Sequence, residues 1–117
     1  MATIKIKKLR TSVILGTKPQ ERLKKQDIFF DIIFEYDTQQ ASCQDDISQA
    51  VDYEQVATNI INSISTSTFF LLEALTAFVL KTVLQDPKIT KATVIGYKAK
   101  AIKNAKYVSV ELSKSRA

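Results

Sequence analysis

Residues 27–37 read DIFFDIIFEYD, and their alternation decides the fold. Successive side chains on a strand point to opposite faces. Ile28, Phe30, Ile32, Phe34 and Tyr36 therefore share one face, and Phe29, Asp31, Ile33 and Glu35 the other. The first face is apolar throughout and needs a covering layer. Upstream, TIKIKKLRTSVIL (3–15) sets Ile4, Ile6 and Val13 among basic residues, which predicts a partner strand with a bend between Leu9 and Ser12. The link GTKPQERLKKQ (16–26) carries Gly16 and Pro19 as turn markers. Together these stretches predict a long β-hairpin with a basic tip.

Helical spacing follows. In DDISQAVDYEQVATNIINSI (45–64), Tyr53, Val56, Ala57, Ile60, Ile61 and Ile64 fall on one stripe. Asp52 and Gln55 are spaced as an N-cap and its reciprocal partner, which starts the helix there. After the linker STST (65–68), a second helix is predicted from Phe69 to Leu84, stopped before Pro87. TKATVIGYK (90–98) and KYVSVELS (106–113) read as two further strands around a basic loop, AKAIKNA (99–105). The expected fold is α+β with the order ββααββ: a four-stranded antiparallel sheet carrying both helices on one face, in a single domain over residues 1–117. Four strands leave two sheet edges to be covered, charged or paired with another subunit.

One cysteine and no histidine exclude an internal disulfide, the common Cys/His zinc sites and Ser-His-Asp or Cys-His catalysis within one chain. Acid/base chemistry must use Lys, Glu, Asp, Tyr or ordered water. Cys43, in DTQQASCQDD (37–46), has no basic neighbour in sequence and reads as an ordinary loop thiol. The longest apolar stretch is interrupted by Glu73 and Lys81, and the opening MATIKIKKLR lacks the features of a secretory signal. A cytoplasmic protein without a membrane partner is expected. The net charge of +5 divides into +7 over residues 1–25, −9 over 26–87 and +7 over 88–117. Basic ends alone are weak support for a nucleic-acid partner, because no zinc finger, Gly-rich clamp or RNP-type aromatic motif accompanies them.

Glu73 is the one carboxylate in TFFLLEALTAFVL (68–80). Pattern leaves two readings open: a partly exposed surface glutamate, or a carboxylate in an apolar pocket that accepts two adjacent N–H donors from a ligand. Lys98 at a strand end, Glu21 in the charged turn and Tyr53 in a first helical turn also have ordinary readings, as a solvated lysine, a loop charge and a core aromatic. Spacing does not assemble these four into a site.

Four blocks taken together do. LGTKPQERLKKQDIFFDI (15–32), DDISQAVDYEQVA (45–57), FFLLEALTAFVL (69–80) and KAKAIKNAKYVSVEL (98–112) resemble, in family order, the dihydroneopterin aldolases of folate biosynthesis and their sister branch, the dihydroneopterin triphosphate epimerases. The likeness runs from Ile4 to Ser113. It implies a tunnelling fold (T-fold) in which four subunits close a barrel and two barrels stack into an octamer, with active sites between subunits and no cofactor. It also implies that Glu73 anchors the pterin 2-amino group and N3–H, assisted by Leu72, Tyr53 and Asp52. Lys98 is implied as the central acid/base, acting through water held with Glu21, and Tyr53 as a positioning or protonating group. The implied reaction removes the 2′-hydroxyl proton and breaks C1′–C2′, releasing glycolaldehyde and leaving 6-hydroxymethyl-7,8-dihydropterin; re-addition of the aldehyde to its other face gives the 2′ epimer. The sequence departs from the family at Ala99, where proline is common, and at the glycine turn VILGT, where many aldolases carry an aromatic or histidine. The block ending AIKNAKYVSVEL is at least as close to the epimerases, and Lys100, Lys103 and Lys106 would suit a triphosphate.

Overall fold

The computed structural model describes residues 1–116. Its elements in chain order are β1 (Ala2–Leu15), β2 (Gln26–Tyr36), α1 (Gln39–Gln44), α2 (Tyr53–Ser65), β3 (Thr68–Phe69), α3 (Leu72–Val83), β4 (Ile89–Ala99) and β5 (Tyr107–Ser115). The expected hairpin forms, with Ile4 opposite Phe34 and Thr11 opposite Ile28. β2 pairs along its other side with β4, and β4 with β5, all antiparallel. The helices cover one face of the sheet, α2 over β1 and α3 over β4 and β5. Ile28, Phe30, Ile32 and Phe34 are fully buried there, against Ile60 and Ile64 of α2 and Leu75, Val79 and Val83 of α3. Each such side chain contributes roughly 1.5–3 kcal/mol by leaving water, which makes this layer the core. Among the described residues no helix is long and apolar enough to cross a membrane.

The sheet itself corrects the expectation of four antiparallel strands. It has five, in the order β3-β1-β2-β4-β5, and β3 runs parallel to β1 through Ile14–Thr68 and Leu15–Phe69. The second helix accordingly starts at Leu72, not Phe69. Residues 68 and 69 are extended because their main chain has partners in β1 and its turn: the Gly16 N–H donates to the Phe69 carbonyl at 3.2 Å, and the Phe69 ring packs on Phe78 at 5.4 Å. The short α1, in a stretch read as loop, adds another element to the simple ββααββ order.

Smaller differences have local causes. β1 bends earlier than Leu9, at a bulge between Ile6 and Leu9 where Lys8 adopts φ 56°. The Asp31 carboxylate stabilises that conformation by accepting the Lys8 N–H at 2.8 Å. Asp52 caps α2 as expected, accepting from the N–H groups of Glu54 and Gln55, but the Gln55 side chain turns forward to Asn59 instead of back to the cap. Of the predicted stripe on α2, Val56, Ile60 and Ile64 are buried while Tyr53 and Ile61 are exposed.

Candidate active site

The alternation that buries Ala92, Val94 and Gly96 of β4 beneath the helices brings Lys98 to the same face, past the end of the apolar core. Gly96 lets α3 lie close to that strand: a Cβ there would stand 2.6 Å from Thr76 Oγ1 and 3.0 Å from the Phe30 ring. The first turn of α3, with Leu72 and Glu73, is thereby brought beside Lys98. On the other side stands a 3₁₀ turn, Pro19–Arg22, which follows Gly16 and carries Glu21.

These three pieces enclose a cleft of about 360 Å³, lined by Glu21, Glu73, Lys98, Leu72, Lys18 and Lys100 among others. Lys98 Nζ donates to Glu21 Oε2 at 2.7 Å, and the two side chains are only 18% and 21% exposed. The Lys18 N–H donates to the other oxygen of Glu21 at 3.3 Å. The Lys98 hydrogen bond, opposed by partial burial and aided by the Lys18 N–H and both lysine charges, holds the Glu21 carboxyl below its ordinary value of 4.5. Glu21 is consequently a carboxylate at neutral pH. Glu73 is exposed to the cleft beside Phe70, Leu71 and Leu72. Leu71, at the N-cap of α3, gives the first-turn N–H groups no side-chain cap, so they are donors that a ligand oxygen can use.

Glu21, Leu72, Glu73 and Lys98 thus line one cleft. Tyr53 and Asp52 do not join them within one chain. Tyr53 is 61% exposed at the start of α2, and Asp52 lines a different cleft with Gln55 and Asn59. Of the three lysines suited to a triphosphate, Lys100 lines the cleft. Lys106 instead borders a shallow groove with Lys8, Tyr97 and Tyr107, and Lys103 lines neither.

Several contributors had no reading as site residues. Gly16 has φ 130°, and a Cβ on it would overlap the Glu21 carboxylate. Its place in a Gly-x-x-Pro turn was visible; its contact with Glu21 was not. Arg22 donates to the carbonyls of Gly16 at 3.2 Å and Phe69 at 2.8 Å, partners that no sequence spacing reveals. On the face of the sheet away from the helices, Asp31 is only 3% exposed and accepts the Tyr97 hydroxyl at 2.6 Å. Burial pushes the Asp31 carboxyl up. The Tyr97 hydroxyl, the Lys8 N–H and the charges of Lys8 and Lys7 outweigh that and leave it lowered. The same hydrogen bond, with burial, pushes the Tyr97 phenol up to about 12.

The family model for dihydroneopterin aldolase matches residues 4–113. Over 116 residues, 99% of this chain and 94% of that protein, the sequence is 33% identical to the dihydroneopterin triphosphate 2′-epimerase of Pseudomonas aeruginosa. It is 36% identical over 115 residues to the dihydroneopterin triphosphate 2′-epimerase of Escherichia coli K12, covering 98% of this chain and 96% of that one. The structure of E. coli dihydroneopterin aldolase in complex with neopterin matches with a TM-score of 0.92 at 22% identity, over 98% of this chain and 100% of that one, a likeness of fold.

Proposed function

The chain belongs to the dihydroneopterin aldolase family, and from that premise we propose that it is an enzyme acting on dihydroneopterin by retro-aldol cleavage of the C1′–C2′ bond. The observation that carries the reading is the Lys98–Glu21 pair, 2.7 Å apart in a cleft that also holds Glu73. Glu73 accepts the adjacent N–H donors of the pterin edge, a two-point match that a carboxylate makes well in partly apolar surroundings. Neopterin in the E. coli aldolase complex is a ligand of this kind. Lys98 serves as acid/base through a water held with Glu21. The 2′-hydroxyl loses its proton, the C1′–C2′ electrons pass into the reduced pterin ring, glycolaldehyde leaves, and protonation at C1′ gives 6-hydroxymethyl-7,8-dihydropterin. Lys98 forms no bond to substrate, and no metal or other cofactor takes part.

Tyr53 and Asp52 enter this scheme from a neighbouring subunit, Tyr53 positioning or protonating the substrate side chain and Asp52 assisting at the pterin end. The working form is then a homo-oligomer, a tetrameric ring or two such rings stacked, acting in the cytoplasm.

A second reading, in which 2′-epimerisation of the triphosphate is the principal outcome, is favoured by the two relatives of that name and by Lys18 and Lys100 at the cleft. It uses the same bond cleavage, with the aldehyde re-adding to its other face before release. The two readings separate in one assay: purified protein with 7,8-dihydroneopterin, and separately with its triphosphate, products resolved by chiral chromatography. Hydroxymethyl-dihydropterin from the first substrate supports the aldolase; epimer mainly from the triphosphate supports the epimerase. Lys98→Ala should lower kcat by about 10²- to 10⁴-fold on either, and full turnover in that variant would sink the mechanism.

A further inference from the structure

The hydrogen bonds inside the turn that carries Glu21, from Glu21 N–H to the Lys18 carbonyl and from Lys18 N–H to Glu21 Oε1, join the turn to itself, yet Glu21 must stay on Lys98 for the pair to act. What ties the turn down is the residue after Glu21. Arg22 sends Nη1 to the Gly16 carbonyl of its own turn and to the Phe69 carbonyl in β3, and its guanidinium lies 4.1 Å from the centre of the Phe70 ring. Phe70 is 63% exposed and borders the cleft, one residue before the N-cap of α3. The Phe69 carbonyl also accepts the Gly16 N–H, so one backbone oxygen receives both ends of the turn. A planar guanidinium meets both demands at once, since it donates in its plane while stacking on an aromatic face.

We infer that Arg22 is a positioning residue of this site, a brace between the Glu21 turn and the entry to α3 that keeps the Glu21 carboxylate on Lys98 and fixes its distance from Glu73. Without the brace the turn keeps its own Lys18–Glu21 bonds, and its ties to the rest of the fold fall to the Gly16 N–H, the Gln26 side chain on the Leu15 carbonyl and the Lys98 pair. Loss of about an ångström of alignment at such a pair costs turnover out of proportion to stability. The inference rests on the functional reading for its kinetic consequence, but not for its geometry.

The groups facing Glu21 set the test. They are Lys98 from β4, Lys18 from its own turn, and Lys100 and Glu73, which line the same cleft. Arg22→Met keeps an unbranched, mostly apolar stem but removes the guanidinium that makes both hydrogen bonds and the Phe70 contact; Arg22→Lys keeps the charge and a single donor nitrogen. The first readout uses no pterin: carboxyl-¹³C NMR titration of Glu21, assigned with Glu21→Gln. In Arg22→Met the Glu21 midpoint should rise towards 4.5, and Arg22→Lys should recover most of the depression. The second is turnover, where Arg22→Met should lose about tenfold or more in kcat with KM changed by no more than about twofold, and Arg22→Lys should recover it in part. An unchanged Glu21 midpoint in Arg22→Met overturns the brace. So does a loss of turnover that merely follows a fall in Tm and that lysine does not restore. If wild-type protein turns over no dihydroneopterin substrate, the functional reading fails, while the titration still decides whether Arg22 holds Glu21.

Discussion

Gly16 is confined from two directions. Its φ of 130° suits no residue with a side chain, and the space a Cβ would need is filled by the Glu21 carboxylate. Gly16→Ala should therefore push Glu21 off Lys98, lowering kcat by roughly tenfold to a hundredfold while pterin affinity, measured by fluorescence titration, changes little. An unimpaired kcat would contradict the role given to Glu21. The lowered Glu21 carboxyl also fixes a pH window: its contribution to stability is present above 4.5 and is lost as pH falls through its depressed value. Tyr97 behaves in the opposite sense. Its raised phenol contributes fully below the ordinary value of 10.0 and loses that contribution as pH rises through about 12. Tyr97 should resist ionisation in an ultraviolet titration until about pH 12, and Asp31→Asn should bring it down. A tyrosinate curve identical in that variant would exclude the Asp31 bond as the cause. At this scale, Gly16 and Pro19 were legible as a turn. Glu21 and Lys98 became a pair only through family likeness, because their contact joins residues distant in sequence.

For the elements, strength of period decided legibility. β2 and β5 alternate cleanly and were read correctly, and α2 announced itself by its stripe and its Asp52 cap. β3 is two residues long and has no period of its own. Phe69, Phe70 and Leu71 look like an extension of the apolar helix, and pairing with β1, the bonds of the Phe69 carbonyl to Gly16 and Arg22, and the Phe69–Phe78 contact pull the chain out of it. The placement of α3 depends on Gly96, beneath the buried Thr76, whose hydroxyl donates to the Leu72 carbonyl. Gly96→Ala would drive a methyl group into Thr76 and Phe30. It should destabilise the protein by about 1–3 kcal/mol, read as a lower urea midpoint at unchanged slope. A midpoint equal to wild type would mean that α3 has more freedom over β4 than the contacts allow.

The whole molecule is longer than a self-sufficient globule. Its radius of gyration is 15.5 Å and its extents are 52 × 27 × 23 Å, against about 13 Å for a compact chain of this size. Among the described residues β5 has no partner along its outer side, and β3 pairs only the last two residues of β1. Such edges favour pairing with further copies. Native mass spectrometry is expected to give four or eight times 13.1 kDa; a monomer at micromolar concentration would remove the source proposed for Tyr53. The open edges were legible from the strand count, whereas the exposure of Tyr53 was not, since a helical stripe cannot say that the residue at its end will point to solvent.

The parallel pairing of β3 with β1 carries a consequence for how the chain reaches this shape. The β1–β2 hairpin closes over a short turn, but Ile14 and Leu15 meet Thr68 and Phe69 only after β2 and α2 have been made and folded back. Contacts so remote in sequence form late, because the loop they close must be ordered first. Completion of the cleft is thus expected late in folding, after the hairpin and its core. In pulse-labelling hydrogen exchange during refolding, the Gly16 amide should gain protection after the amides of the hairpin; simultaneous protection would show that the cleft is built with the core.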